Sequence, residues 1–268
     1  MFVICITMGS KMSTMHPLLV TAAYDFGIQW VLWVFAALFQ TEKFYDLAGS
    51  ATYIFLAWQT LRSTGTFHLR QVLQTGCVTT WGVRLGSYLF TRILHDGHDS
   101  RFDKVRGNPK VFFIYWTIQG VWVFLTLLPT IILNTTRKDV ELGWRDYLGW
   151  GLWTLGFLLE ATADRQKSVF RSDPVNKGKW ISSGLWSLCR HPNYLGEILL
   201  WAGLFLPAST VMKGWEFGSV ISPFFVAYLL IRVSGIPLLD RQALKRWGDI
   251  PAYQRYRQET AKLIPYIW

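Results

Sequence analysis

The sequence predicts an all-α fold: a polytopic membrane bundle of about seven transmembrane helices with a basic, amphipathic C-terminal tail. Three observations predict it. Charged residues fill only 16% of the 268 positions, where a soluble domain carries about 25%, and hydrophobic residues reach 51%. Fifteen Trp and eighteen Phe are a heavy aromatic load, and Trp and Tyr favour membrane–water interfaces. The apolar residues gather into seven runs near the roughly 20 residues that span a bilayer, and the basic residues between them fall mainly on one side.

In order, the runs cover 17–39, 44–61, 71–94, 111–133, 147–163, 195–211 and 220–239. Pro109 is placed to begin the fourth helix, since its missing N–H costs nothing in a first turn. The third run contains Arg84, and the seventh contains Arg232 and Pro237. The runs are continuous rather than alternating, which favours helices over barrel strands. No internal repeat, low-complexity tract or soluble second domain is visible. The chain therefore reads as one integral membrane domain, with an N-terminal segment 1–16, a bundle 17–239 and a tail 240–268. The N-terminus lacks the pattern of a cleaved signal peptide and is kept in this reading.

A seven-span topology puts seven Lys and Arg on the N-terminal side and eighteen on the other, leaving Arg84 and Arg232 within spans. Basic loops stay cytosolic, so the C-terminal tail is expected on the cytosolic or matrix side of an intracellular membrane, of the ER or the inner mitochondrial type. Topology, or a ligand bearing phosphate, accounts for the net charge of +10; a nucleic-acid partner is not expected. Cys5, Cys77 and Cys189 match no metal or redox spacing.

The residues that could carry chemistry concentrate in 160–194. Glu160, Asp164, Lys167 and Arg171 follow i, i+4, i+7 and i+11, so they share a face if the fifth helix continues past Ala163. An ordinary solvated helix end with internal ion pairs fits the same spacing. Arg190-His191-Pro192-Asn193-Tyr194 follows a turn-rich linker. Pro192 can begin the next helix, Arg190 offers a fork suited to phosphate or carboxylate, and Asn193, Tyr194 and Glu197 lie near a helix N-terminus that favours anions. A plain helix start with an interfacial Tyr is the simpler reading. On the third run Trp81, Arg84, Tyr88, Arg92 and His95 form a polar stripe, and a buried Arg84 would need a partner such as Asp46, Glu160 or Asp164. His95, Asp96, His98, Asp99 and Asp103 imitate a metal loop, but nothing elsewhere completes it, and no metal is expected. The tail, with Arg255, Tyr256 and other aromatic and basic residues, either lies on anionic lipid or folds back over a pocket. No nucleotide motif of a soluble fold is present.

At these residues the sequence resembles the DUF1295 branch of the steroid 5-alpha-reductase-like superfamily. The matching pieces include Glu160-x-x-Ala163-Asp164-x-Gln166-Lys167, Phe170-Arg171, Asn176-x-Gly178-x-Trp180, Ser183-Gly184-Leu185-Trp186 and Arg190-His191-Pro192-Asn193-Tyr194-x-Gly196-Glu197. Tyr45-Asp46-Leu47, Trp81-x-x-Arg84 and Tyr253-x-x-Tyr256 extend the likeness over nearly the whole chain. The resemblance implies a bundle of about seven helices that takes NADPH from the cytosolic side and a lipid-like enone, such as a steroid, sterol or fatty enone, through the bilayer. It implies that Asp164, Arg171, Asn193, Tyr194, Glu197 and the tail basics enclose the cofactor. Glu160, Lys167, Arg190, His191, Arg255 and Tyr256 complete the expected set. The proton donor is expected at Tyr88, with Asp46 as its partner. Isoprenylcysteine carboxyl methyltransferases share the Arg-His-Pro-x-Tyr start but bind S-adenosylmethionine, and their acidic run is replaced here by Asp240-Arg241-Gln242. A third reading keeps the fold as a non-catalytic subunit among other membrane subunits.

Overall fold

The computed structural model describes residues 16–267. The segment 1–15, with Cys5 and Lys11, and Trp268 lie outside the described residues. Regular structure among the described residues is helical, with one isolated bridge pairing Cys189 and Ala261. The chain divides into two compact units, one of residues 16–141 and 208–219 and one of 142–207 and 220–267.

The first unit is built on four helices, α1 (Pro17–Leu38), α2 (Tyr45–Thr64), α3 (Leu69–Asp96) and α4 (Pro109–Thr135). Local chemistry sets their ends. Pro17 and Pro109 occupy first turns, and Asn108 Oδ1 accepts the Val111 N–H at 3.3 Å. Gly65 ends α2 at φ +66°, a left-handed conformation that costs glycine nothing. Gln71 Oε1 accepts the His68 N–H at 3.0 Å, closing the start of α3. Much of the buried surface is polar. Asn134 Nδ2 donates to Ala57 O (3.0 Å) and Thr75 Oγ1 (3.0 Å), and Gln74 Nε2 donates to Thr130 Oγ1 (3.0 Å). These polar groups share the interior with an apolar core that includes Trp81, Phe112, Trp116 and Leu127, while other apolar side chains face outward, among them Leu19, Val31, Leu38 and Ile118. A partly polar interior beneath an apolar exterior suits a surface solvated by hydrocarbon. Ion pairs mark the ends: Arg70 with Asp139 (2.9 Å), Arg101 with Asp46 (2.9 Å) and Arg106 with Glu42 (3.2 Å).

The second unit contains α5 (Trp144–Ser172), the single turn α6 (Leu185–Leu188), most of α7 (Pro192–Ser209), α8 (Ile221–Tyr228), α9 (Ile236–Trp247) and α10 (Pro251–Glu259). Helix α5 continues nine residues beyond the apolar run that ends at Ala163, so the charged stripe of Glu160, Asp164, Lys167 and Arg171 is helical throughout. The seventh run is less regular than its composition suggests. A π-helical turn (Leu229–Val233) follows α8, where Ser234 N–H reaches back to Leu229 O at 2.8 Å. Gly235 then has no room for a side chain against the Leu230 carbonyl, and Pro237 stands in the first turn of α9.

Among the described residues, three helical stretches, Pro17–Leu38, Pro109–Thr135 and Gly214–Trp247, are long and apolar enough to cross a membrane.

Candidate functional site

The site is assembled on the second unit from α5, the segment 173–191, α9 and α10. It begins with close packing of α5 on α7, where glycines bring the two backbones together. Asn193 Nδ2 donates to Asp164 Oδ1 at 3.1 Å across that contact. Glu160, Asp164 and Glu197 are all buried, and Glu197 Oε1 accepts from Trp201 Nε1 at 2.8 Å. Trp186 Nε1 donates to Ala163 O (3.1 Å), and Gln166 Oε1 accepts the Leu185 N–H (3.0 Å). These two bonds fix α6 against α5. Gly184 precedes α6 at φ +60°, and a Cβ there would run into the Gln166 amide.

The C-terminal elements fold back onto this base. Trp247 Nε1 donates to Gly178 O at 2.6 Å, Tyr256 Oη donates to Trp186 O at 2.8 Å, and Arg190 N–H donates to Ala261 O at 2.8 Å. Between base and cover lies a cleft with about 140 Å³ of interior space. Its charged lining comprises five cations, Lys167, Arg171, Lys179, Arg190 and Arg246, against one acid, Asp240. Its aromatic lining clusters Trp180, Trp247 and Tyr253, with the Trp180 and Tyr253 ring centroids 5.1 Å apart. Lys167 Nζ sits 4.7 Å above the Trp186 ring, a cation–π contact. A wider groove of about 780 Å³ adjoins it and shares Phe170 and Ile181 with the cleft.

Asp240 faces two partners at once. Its Oδ1 lies 3.6 Å from Arg190 Nη1 and 3.4 Å from His191 Nε2. These are ion-pair distances without hydrogen-bond geometry: Arg190 Nε and both ring nitrogens of His191 have no hydrogen-bond partner among the described residues. The His191 ring is buried and stacks on Tyr194, with centroids 5.6 Å apart and planes 7° from parallel. Burial pushes the His191 pKa below its ordinary value, Asp240 opposes that shift, and Lys167 and Arg190 add to it. Burial likewise holds the Tyr256 phenol above its usual range.

Of the residues singled out in the sequence, Lys167, Arg171, Arg190, His191 and Tyr256 line the cleft. Glu160, Asp164, Asn193, Tyr194 and Glu197 belong to the α5–α7 base and do not line it. Arg255 is exposed on α10 and does not line it either. Lys179, Arg246, Asp240, Trp180 and Trp247 line it without having been singled out as site residues; the sequence shows a basic residue directly before each Trp, at 179–180 and 246–247, but nothing local joins the two segments. Tyr88 and Asp46 belong to the first unit. The Arg84 guanidinium lies 5.7 Å from the Tyr88 ring centroid, and Asp46 is paired with Arg101 (2.9 Å) and Arg92 (3.8 Å).

A family model described as "Protein of unknown function (DUF1295)" matches residues 32–260. The chain belongs to the DUF1295 family. Among curated relatives of this DUF1295 protein, a "Probable O-methyltransferase ustE" of Ustilaginoidea virens is 34% identical over 45% of this chain and 38% of its own length. A "Delta(14)-sterol reductase" of Arabidopsis thaliana is 28% identical over 56% of this chain and 37% of its own. The "Delta(14)-sterol reductase ERG24" of Candida albicans is 27% identical over 51% and 31% respectively. The matched part thus spans between about a third and two fifths of each relative. No solved structure matches significantly.

Proposed function

We propose that this DUF1295 protein is a membrane-embedded reductase that uses NADPH to saturate a conjugated double bond in a sterol-like lipid. The observation that carries this reading is the charge of the cleft, where five cations surround one acid beside a cluster of aromatic rings. Several cations crowded into a half-closed space repel one another and call for a polyanion. A dinucleotide phosphate supplies both the anionic groups and a flat base for the aromatic rings. The buried Arg190 Nε and His191 nitrogens, without a hydrogen-bond partner among the described residues, fit such an acceptor-rich ligand. In this reading Lys167, Arg171, Arg190 and Arg246 hold phosphate, and Trp180, Trp247 and Tyr253 flank the base. The bound cofactor supplies a hydride. Glu160, Asp164, Asn193, Tyr194 and Glu197 keep α5 and α7 fixed beneath the cleft. Tyr88, with Asp46 as its partner, would supply the proton that, with the hydride delivered to the other carbon, saturates the double bond. The names of the sterol-reductase relatives support the substrate class.

The reading includes seven spans in an intracellular membrane. Helices α2, α3, α5 and α7 have 20, 28, 29 and 18 residues. At 1.5 Å per residue they reach about 27 Å or more, close to the hydrocarbon thickness. Their polar residues lower the mean hydropathy, but many of those residues are buried, including Gln71, Gln74, Glu160 and Asp164.

A methyltransferase is the second reading, favoured by the 34% identical relative. S-adenosylmethionine carries a sulfonium, an ammonium and one carboxylate, so it matches a five-cation cleft poorly. Calorimetry on the purified protein with NADPH and with S-adenosylmethionine separates the two. NADPH binding, followed by NADPH-dependent loss of a conjugated sterol diene, supports the reductase. Binding of S-adenosylmethionine without NADPH overturns it.

A further inference from the structure

Helix α1 buries a polar stripe within an apolar helix. Thr21, Asp25 and Gln29 stand four residues apart, each at most 1% exposed. Two of the three are accounted for. Thr21 Oγ1 donates to Pro17 O at 2.9 Å; Gln29 Nε2 donates to Thr52 Oγ1 at 3.2 Å, and its Oε1 accepts from Gln119 Nε2 at 3.0 Å. Asp25 differs. It is fully buried with the Gln29 side chain as its polar neighbour, yet neither carboxylate oxygen has a partner in hydrogen-bond geometry among the described residues.

The packing brings it no counter-charge. Gln29 opposite Gln119 and Trp30 opposite Thr117 set the antiparallel register of α1 on α4, which puts Asp25 level with Val123 and about a turn from Thr126. Gln29 opposite Thr52 and Tyr24 opposite Phe55 put it level with Leu56 of α2. Helix α1 has no Lys, Arg or His. The only such residues in the two helices packed on it are Lys110, in the first turn of α4, and Arg62, whose guanidinium lies 5.6 Å from the Trp58 ring centroid. The acidic Asp46 at the start of α2 is paired with Arg101. Tyr53 is the titratable group nearest this level of α2, and its hydroxyl donates to Trp122 O at 3.4 Å. Asp25 stands eight residues into α1, about 12 Å from the helix start.

A bare carboxylate at that depth is too costly to persist; such groups are retained where they bind something. We propose that Asp25 is a binding site for a monovalent cation, a sodium ion or a proton, set in the polar interior of the first unit. Hard cations take oxygen ligands, and the side-chain oxygens of Thr21, Gln29 and Thr126 are of that type.

The test is thermal unfolding of the full chain in detergent, with sodium chloride exchanged for choline chloride at constant ionic strength, repeated across pH. If sodium is the cation, the melting temperature rises by about 4 °C for each tenfold increase above its dissociation constant. Asp25→Asn abolishes the rise. A melting temperature indifferent to sodium but dependent on pH, with that dependence reduced in Asp25→Asn, identifies the proton. The proposal is overturned if the native protein responds to neither cation, or if Asp25→Asn responds as the native protein does. Asp25→Ser, smaller and still polar, serves the same comparison if the Asn variant does not fold.

Discussion

Gly156 of α5 and Gly196 of α7 face each other so closely that a Cβ on either would lie 2.5 Å from the other's carbonyl oxygen. Seven residues earlier on α5 and seven later on α7 the contact repeats, and a Cβ on Gly203 would lie 2.6 Å from Gly149 O. Hydrocarbon gives helices no hydrophobic reason to associate, so backbone approach through small residues carries much of the packing. The same approach brings Asn193 within 3.1 Å of Asp164.

A side chain at this seam must push the helices apart. Gly196→Ala is expected to cost about 1–3 kcal/mol, which lowers the melting temperature by roughly 5 °C. NADPH affinity should fall with it, because the base of the cleft shifts. Gly151→Ala on the same α5 is the control: nothing lies within 4 Å of its Cβ position, so no loss is expected. Thermal unfolding of both variants checks the contrast, and equal losses would remove the seam from the account.

Neutralising a cation of the cleft should weaken a polyanion by about tenfold. Arg171→Ala and Arg246→Ala are both expected to do so, although they stand 75 residues apart. Arg255→Ala, whose side chain is exposed outside the cleft, should leave affinity unchanged. Titration with NADPH at two ionic strengths reads both effects, since the native affinity should also weaken as salt rises. An Arg255 effect as large as that of Arg246 would contradict the cleft as the phosphate site.

These variants also mark what could be read from the sequence. The stripe Glu160, Asp164, Lys167 and Arg171 was legible because helical spacing alone puts those residues on one face. Arg246 and Lys179 were not legible as site residues. They join the cleft through Trp247 bonding Gly178 and Tyr256 bonding Trp186, pairs 69 and 70 residues apart that no local pattern encodes. The glycines at 149, 156, 196 and 203 were in plain view, but their spacing acquires meaning only when α5 and α7 are known to be neighbours. The buried stripe of α1 was hidden for a related reason. Within a strongly apolar run, Thr21, Asp25 and Gln29 read as dilution until burial shows they all point inward.

His191 makes stability depend on pH. Burial lowers its pKa in the folded protein, so the unfolded chain takes up the proton first as pH falls. The unfolded state therefore binds more protons below about pH 6.5, and the native state loses stability there by at most about 1.4 kcal/mol per pH unit from this one group. Above that range both states are neutral and the effect vanishes. His191→Asn should flatten the decline in melting temperature between pH 7 and pH 5, whatever its effect at pH 8. An unchanged slope in that variant would assign the decline to other groups.

Tyr88 can be tested with little disturbance to its surroundings. The Arg84 guanidinium lies over its ring, and phenylalanine keeps the ring and thus the cation–π contact while removing only the hydroxyl. If that hydroxyl donates the proton, Tyr88→Phe should lower kcat by about 100-fold or more and leave NADPH affinity and melting temperature unchanged. Asp46→Asn should behave differently, because Asp46 also anchors Arg101 and Arg92, so kcat and stability should fall together. Steady-state kinetics on a conjugated sterol diene, alongside unfolding, separates the two patterns. A Tyr88→Phe enzyme with native kcat would exclude this hydroxyl as the proton source, leaving Tyr88 a structural partner of Arg84.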